Sequence, residues 1–435
     1  MNVAIVGFGV EGKSALAYWK KLGAQITVCD QEQSIASEIP EGITSQLGLG
    51  YAQNLDQFDL IIRSAGINPK QIIAENPTAR DKLTTVINEF LKVSPTKHII
   101  GVTGTKGKGT TTTLITEILK AAHKPVFLGG NIGTPPLEFL PNLTEDSWVV
   151  LELSSFQLTD LRYSPHVAVC LMVVPEHLNW HTDMEDYIKA KTHLFDYQST
   201  SDIAIYYSQN ETSKQIAGHS SGHQIPYFAK PGAYVENGQI IIDSQTICAT
   251  SELKLLGEHN WQNVCAAVTT AWQVTQDVLA IRSVVTTFTG LPHRLEFVSK
   301  TWGIRYYNDS FAATPDAAIA ALDAITGPKV MIVGGFDRQL PIDHLAKALE
   351  AHQSELKRVV LIGASAKRLA GECDKVGFTN YQIDPSKNLS EIVTKARTFA
   401  VPGDAVVLSP GFASFDMFKN FEDRGLQFKA AVEQL

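Results

Sequence analysis

Residues 99–114 read Ile-Ile-Gly-Val-Thr-Gly-Thr-Lys-Gly-Lys-Gly-Thr-Thr-Thr-Thr-Leu. An apolar strand over Ile99–Val102 runs into a glycine-rich turn and then into a threonine-rich helix start. Glycines let the backbone curl so that several N–H groups point into one concavity. The following helix adds unpaired N–H groups and the positive end of its dipole. Lys108 supplies a mobile cation, and a nearby hydroxyl can hold magnesium. Together these parts make a triphosphate cradle, so Gly104, Thr105, Lys106, Gly107, Lys108, Gly109 and Thr110 are expected to contact a triphosphate. The usual pattern has glycine where Val102 stands, and Ser or Thr directly after the lysine, where Gly109 stands. Thr110 is then the nearest hydroxyl for a metal. The competing interpretation is a strand-to-helix turn without a ligand.

The chain opens Val3-Ala-Ile-Val-Gly-Phe-Gly-Val-Glu-Gly12, a strand followed by G-x-G-x-x-G, with a helical pattern from Ser14 to Leu22. A second strand, Gln25–Asp30, ends in a carboxylate. This is a Rossmann-like arrangement, with Asp30 placed to accept from a ribose hydroxyl or a base. A lone GxGxxG is a weak signal; strand, helix and terminal Asp raise it to "nucleotide or nucleotide-like ligand". Loop 63–69 follows another predicted strand, Phe58–Ile62, and Ser94-Pro95 marks a boundary.

Further strands are expected at Val126–Leu128, Trp148–Leu151 and Val167–Val173, with smaller ones across 202–250 and a helix from Asn260 to about Val274. Gly290-Leu-Pro-His-Arg294 reads as a hinge. Beyond it, strands near Ile304–Tyr307, Val330–Val333, Val359–Ile362 and Ala405–Leu408 alternate with helices. The chain has 435 residues, and at about 150 residues per domain it has room for three. The expected fold is α/β: a Rossmann-like unit over 1–93, a P-loop ATPase unit with a mostly parallel sheet over 94–290, and a Rossmann-like unit over 291–435.

A formal net charge of −8 without a long basic run argues against wrapping nucleic acid. Five scattered cysteines without a C-x-x-C pair argue against a disulfide scaffold and for a reducing compartment. The start has no basic leader pattern, and the apolar run 167–174 is too short to cross a bilayer.

Glu152 closes the strand Trp148–Leu151, where a buried carboxylate is costly unless it holds a cation or a hydrogen-bond network. One strand from a phosphate loop, it suits magnesium; an exposed strand-end Glu is the bland alternative. Pro175-Glu-His-Leu-Asn-Trp-His181 emerges after the most apolar strand, where ligands gather in open α/β sheets; a lone His is more often structural, and two within five positions tip the balance towards function for His177. By composition Lys189 and Lys191 are ordinary surface lysines of a helix over 186–195, and Asn260 is an ordinary cap. Arg294 and Asp309 flank a predicted hairpin; they suit a phosphate and a ribose, or equally a surface ion pair.

In this order the motifs resemble the Mur ligase superfamily, ATP-dependent amide-forming enzymes, over essentially the whole chain. The resemblance rests on Thr103–Lys108, Gly130-Asn-Ile-Gly133, Leu151–Gln157, Glu176-His177, Ala190-Lys191, His259-Asn260 with Asn263, Gly290–Arg294, Asn308-Asp-Ser310 and the run Leu408–Gly425. It is similar in particular to members that add D-glutamate to UDP-N-acetylmuramoyl-L-alanine. The resemblance implies ATP and two magnesium ions as cofactors, and Lys108, Glu152, His177 and Lys191 as catalytic residues. Lys191 matches a carbamylated lysine, and Thr110, Glu152, His177 and Lys191 serve the metals. Asn263, Arg294 and Asp309 join the ATP contacts. Asp30, Ser64, Gly66 and Asn131 fall on the UDP-substrate side, and Ser414, Phe421 and Arg338 on the glutamate side. A cytoplasmic monomer without nucleic-acid or membrane partners is expected.

Three positions depart from the family pattern. Glu176 replaces an Asp, Phe311 stands where a Lys is common, and Arg338 stands in a loop that usually carries Lys. The order Lys108-Gly109-Thr110 is closer to folylpolyglutamate synthases, which keeps a folate-type ligase open. From other classes, an NAD(P)-dependent oxidoreductase explains GxGxxG but not the phosphate loop. A non-catalytic nucleotide-binding regulator also stays open.

Overall fold

The computed structural model describes residues 1–255 and 257–435. They form two compact units, Met1–Leu253 with Glu258–Phe288, and Lys254–Gly257 with Thr289–Leu435.

The first unit holds two parallel sheets. In one, β1 (Asn2–Val6), β2 (Gln25–Asp30), β3 (Thr44–Leu47), β4 (Leu60–Arg63) and β5 (Leu83–Thr84) lie in the order β3-β2-β1-β4-β5. Strand order reverses at the β1/β4 pair, where ligands sit in such sheets. The Gly-rich turn after β1 and the loop after β4 meet there: the Ser64 hydroxyl donates to the Gly7 carbonyl at 2.7 Å. The helix begins at Val10 rather than Ser14, which corrects the expected start. Gly12 therefore lies inside it, and a Cβ at Gly12 would come 2.1 Å from the Gly7 carbonyl oxygen. The third glycine thus serves close helix-to-turn packing.

In the second sheet, β6 (Ile99–Thr103), β7 (Val126–Gly130), β8 (Trp148–Glu152), β9 (Val167–Cys170), β10 (Ile203–Tyr207) and β11 (His223–Tyr227) are ordered β11-β10-β9-β6-β8-β7. β6, β8 and β9 are buried almost throughout, and that burial explains their continuous apolar runs. Strand β9 stops at Cys170, three residues short of the expected end. The segment beyond it pairs with the phosphate loop instead: Thr105 N–H donates to the Met172 carbonyl at 2.8 Å. A small antiparallel sheet follows, with β12 (Tyr234–Glu236), β13 (Gln239–Ile242) and β14 (Gln245–Ala249).

The helix Lys108–Ala121 buries Leu114, Ile115, Ile118 and Leu119 at helical spacing. Its threonines satisfy themselves within the helix: Thr112 and Thr116 hydroxyls donate to the Lys108 and Thr112 carbonyls at 3.0 and 2.8 Å. Polar residues can thus line a buried face.

The second unit carries one mixed sheet of β15 (Glu296–Thr301), β16 (Ile304–Asn308), β17 (Lys329–Gly334), β18 (Leu356–Ile362), β19 (Tyr381–Ile383) and β20 (Ala405–Leu408), in the order β15-β16-β20-β17-β18-β19. Only the β15/β16 hairpin is antiparallel. Apolar clusters lie on both faces of the sheet, around Val333 and Leu361 on one and Ile332 and Val360 on the other. Among the described residues no helix is long and apolar enough to cross a membrane.

Candidate active site

Three strand ends build the site in the first unit. Register places Glu152 beside Val102, and Cys170 beside Thr103. The loop after β6, the carboxylate ending β8 and the segment after β9 therefore share one sheet edge.

Gly107 caps the helix in the left-handed region at φ 87°. A Cβ there would meet Asn263 Oδ1 at 2.1 Å, so glycine is required twice over: for conformation and for the approach of Asn263. Asn263 itself is held by Asn260, its Nδ2 donating to Asn260 Oδ1 at 2.9 Å. Lys108 folds back over the loop and donates from Nζ to the Gly104 and Thr105 carbonyls at 3.1 and 3.0 Å. Lys106 points outward and pairs with Glu176 at 2.6 Å. Thr105 turns inward, its hydroxyl within 3.0 Å of the Val174 carbonyl and 2.9 Å of the Tyr187 hydroxyl. Its polar atoms thus hold the loop to the segment after β9. Gly109 is buried, Thr110 half-buried and Thr111 fully buried, so Thr110 carries the more accessible hydroxyl.

Lys191 is not a surface lysine. It lies on the helix Met184–Thr192 and is 1 % exposed. Its Nζ donates to the Gly104 carbonyl at 3.0 Å and to the Thr103 hydroxyl at 3.3 Å, and lies 4.5 Å from the Tyr187 ring centre. Burial, with Lys108 nearby, pushes its pKa down to about 7. Composition and periodicity alone place it on the surface, because the signal is tertiary: the helix packs its carboxyl-terminal turn under the loop.

Glu152 is 2 % exposed. Oε1 accepts from Asn131 Nδ2 at 2.7 Å, while Oε2 is buried without a hydrogen-bond partner. An orphaned buried carboxylate oxygen beside a phosphate loop fits a divalent cation. No cluster of three His, Cys, Asp or Glu side chains suited to a metal occurs among the described residues. His177 has a positive φ of 58° and lies 4.8 Å from the Phe156 ring. Burial holds its pKa below the ordinary value, Lys108 and Lys191 act in the same direction, and Glu176 opposes them. His181, the second histidine of that segment, is 2 % exposed and lies 2.9 Å from the Ser155 hydroxyl through Nε2.

At the β1/β4 crevice, Asp30 accepts from Phe8 N–H at 2.6 Å and Glu32 N–H at 2.9 Å, which fixes the Gly-rich turn. Gly66 stands at an exposed loop tip, its carbonyl accepting from Trp180 Nε1 at 3.2 Å. Asn131, assigned with Asp30 and Ser64 to the UDP-substrate, donates to Glu152 at the edge of the second sheet. Sequence patterns also give no sign of Arg63, which is completely buried and reaches Asp160, 97 residues away.

The second unit brings Arg294, Asp309 and Phe421 into one neighbourhood. Arg294 stacks on Phe311 with Cζ 3.8 Å from the ring centre, and Phe311 meets Phe421 edge-on at 5.0 Å. The aromatic ring at the position where lysine is common thus becomes a platform for the guanidinium. Asp309 accepts from Leu295 N–H at 2.9 Å and from the Ser409 hydroxyl at 2.7 Å. Burial pushes its pKa up to about 7. Ser414 is buried after β20, and Arg338 is exposed. Arg424, also fully buried, ties this region together: Nε donates to the Ser310 hydroxyl at 2.9 Å, and Nη1 to the Phe412 and Ala413 carbonyls.

Residues 1–85 match the Mur ligase MurD-like N-terminal domain, 102–271 the Mur ligase middle domain, and 293–412 the Mur ligase glutamate ligase domain. The chain belongs to the Mur ligase family, ATP-dependent amide ligases. Among its relatives are two proteins named UDP-N-acetylmuramoylalanine--D-glutamate ligase. The one from Clostridium kluyveri is 37% identical, with 100% of this chain and 97% of the relative covered. The one from Acetivibrio thermocellus is 38% identical, with 100% and 96% covered. The fold also matches UDP-N-acetylmuramate-alanine ligase from Thermotoga maritima (TM-score 0.59, 14% identity, 100% of this chain and 99% of that one). A further match is E. coli FolC solved with DHPP and ADP (TM-score 0.57, 17% identity, 80% of this chain and 92% of that one).

Proposed function

We propose that this chain joins D-glutamate to UDP-N-acetylmuramoyl-L-alanine in the cytoplasm, at the expense of ATP, as a step of peptidoglycan precursor synthesis. The observation that carries the reading is the meeting of the phosphate loop, the orphaned Glu152 oxygen and the buried Lys191 at one sheet edge. Full-length relatives of that name support the choice of substrates. The three segments 1–93, 94–290 and 291–435 then serve the UDP-substrate, ATP and the amino acid.

A carboxylate is a poor acyl donor because oxide is a poor leaving group. In the proposed first step, a carboxylate oxygen of the alanyl group attacks the γ-phosphorus of ATP, the bond to the bridging oxygen breaks, and ADP leaves. In the second, the glutamate amine attacks the acyl carbon, the carbon–oxygen bond to phosphate breaks, and the nitrogen sheds a proton. The protein mainly positions groups and neutralises charge. Lys108, with the N–H groups of Gly107 and Gly109, cradles the phosphates, and Asn263, Arg294 and Asp309 complete the ATP contacts. Thr110, Glu152, His177 and Lys191 would hold magnesium, which when bound would supply charge neutralisation for the transferring group. Lys191 enters as its carbamate: the neutral amine adds to carbon dioxide, loses a proton and becomes an anion. Asp30, Ser64, Gly66 and Asn131 face the UDP-substrate, and Ser414, Phe421 and Arg338 the glutamate.

The test is phosphate release from ATP and magnesium with UDP-N-acetylmuramoyl-L-alanine and a panel of amino acids including both glutamate enantiomers. Folate serves as an alternative donor, because the Lys108-Gly109-Thr110 order favours that second reading. Release confined to UDP-N-acetylmuramoyl-L-alanine with D-glutamate supports the proposal; release only with folate replaces it.

A further inference from the structure

Arg63 ends β4 with its guanidinium turned into the protein and 0 % exposed. Nε and Nη2 grip the Asp160 carboxylate from both sides, Nε at 2.8 Å and Nη2 at 2.5 Å. Nη2 also donates to the Phe156 carbonyl at 2.7 Å, and Nη1 to the Ser64, Ala65 and Ile67 carbonyls at 3.4, 3.3 and 3.1 Å. One side chain thus gathers three carbonyls of the loop after β4 and joins them to the helix Ser155–Leu158 and the turn behind it. That helix begins three residues after Glu152.

A second bridge runs parallel to the first. Glu11 accepts from Ala65 N–H through Oε2 at 2.8 Å and from Gln157 Nε2 through Oε1 at 2.7 Å. Gln157 in turn accepts from Ser154 N–H through its own Oε1 at 3.0 Å, which closes a capping box at the start of that helix. Two independent side chains, 52 residues apart in the chain (63 − 11), therefore make the same connection. A bidentate Arg–carboxylate pair and charge-assisted bonds to backbone fix distance as well as orientation.

We propose that Arg63 and Glu11 are positioning residues. They set the loop 64–67, at the crevice of the first sheet, in fixed register with the strand end that carries Glu152. This rests on the ligase reading above, in which one edge holds the UDP-substrate and the other the transferring phosphate. Neither residue touches a reacting atom. Their effect falls on where the carboxylate of the UDP-substrate lies relative to the phosphate, and a misplacement of about 1 Å costs on the order of a hundredfold in rate.

The experiment compares wild type, Glu11→Gln, Arg63→Lys and the exchange pair Glu11→Gln with Gln157→Glu. In Glu11→Gln an amide N–H faces the donor of Ala65 or of Gln157. The exchange pair restores complementarity, with the new Gln accepting from Ala65 and donating to the new Glu. The readouts are KM for UDP-N-acetylmuramoyl-L-alanine, kcat, calorimetric affinity for a non-hydrolysable ATP analogue, and the thermal midpoint. The expected result in Glu11→Gln is kcat lowered about tenfold or more, with KM for the UDP-substrate raised, ATP-analogue affinity within about twofold, and recovery in the exchange pair. Arg63→Lys is expected to show the same split more strongly. If it does not fold, the half-buried Glu11 and its exchange pair decide the matter. A lowered midpoint with kcat and KM for the UDP-substrate unchanged, or an equal loss of ATP-analogue affinity, overturns the proposal. A wild type without turnover overturns the ligase reading and this inference with it, and is told apart by the wild-type arm alone.

Discussion

Lys191 Nζ lies 3.0 Å from the carbonyl oxygen of Gly104, in the first turn of the phosphate loop. A primary amine buried against a loop built to hold anions is an expensive arrangement for an ammonium ion. Burial together with Lys108 answers this by pushing the amine's pKa down to about 7. The neutral amine is the form that adds to carbon dioxide.

The pH dependence of this step has a definite sign. Near pH 7 about half of the amine is neutral; near pH 6 about nine-tenths is protonated and unreactive. Enzyme held at pH 6 in carbon-dioxide-free buffer is expected to lose most of its activity, and bicarbonate at pH 8 to restore it. Lys191→Arg, which stays charged, is expected to be inactive in both. Specific activity measured after each incubation checks this; indifference of the wild type to carbon dioxide contradicts the carbamate.

Glu152→Gln keeps an acceptor for Asn131 Nδ2 but removes the negative charge and the orphaned oxygen. A fall in kcat of about 10²–10³ is expected, with a higher magnesium concentration for half-maximal rate. A magnesium titration of initial rates separates this from a structural defect, which leaves the half-maximal concentration unchanged.

Thr110 and Thr111 differ in where their hydroxyls go. Thr110 is half-buried at the helix start, whereas Thr111 is fully buried on the packed face. Thr110→Ala is therefore expected to lose the larger share of magnesium-dependent turnover, and Thr111→Ala mainly thermal stability. The opposite order in paired rate and melting measurements reassigns the metal hydroxyl.

Asp309 gives a stability prediction in the second unit. Its folded pKa is raised to about 7, while an unfolded Asp titrates near 4. The folded state thus binds the extra proton between those values, and stability is lost as pH rises through that window. Asp309→Asn removes this loss. Relative to the variant, the wild type is expected to weaken between pH 4.5 and 8 by up to about 4 kcal/mol. Urea unfolding at several pH values measures it; a constant difference contradicts the shift.

Much of the fold and of the site is legible in the sequence. Strand ends such as Glu152 and the loop 103–110 announce themselves because parallel strands are continuous apolar runs and their carboxyl ends carry the ligands. The helix start at Val10 is obscured because GxGxxG reads as loop until its third glycine proves to be packed on Gly7. Lys191 needs the family resemblance, since a buried lysine on a short polar helix looks like any surface lysine. Arg63 with Asp160, and Arg424 with Ser310, escape altogether: each pair is more than 90 residues apart and follows no local period.

In the proposed reaction the phosphate loop serves to activate a carboxylate, and oxygen transfer from carboxylate to phosphate reports on that step. UDP-N-acetylmuramoyl-L-alanine with ¹⁸O in its alanyl carboxylate is incubated with ATP, magnesium, D-glutamate and the enzyme, and the released phosphate is analysed by mass spectrometry. One ¹⁸O atom is expected in each phosphate, carried over when the acyl carbon–oxygen bond breaks. Unlabelled phosphate from a reaction that forms the amide would contradict it.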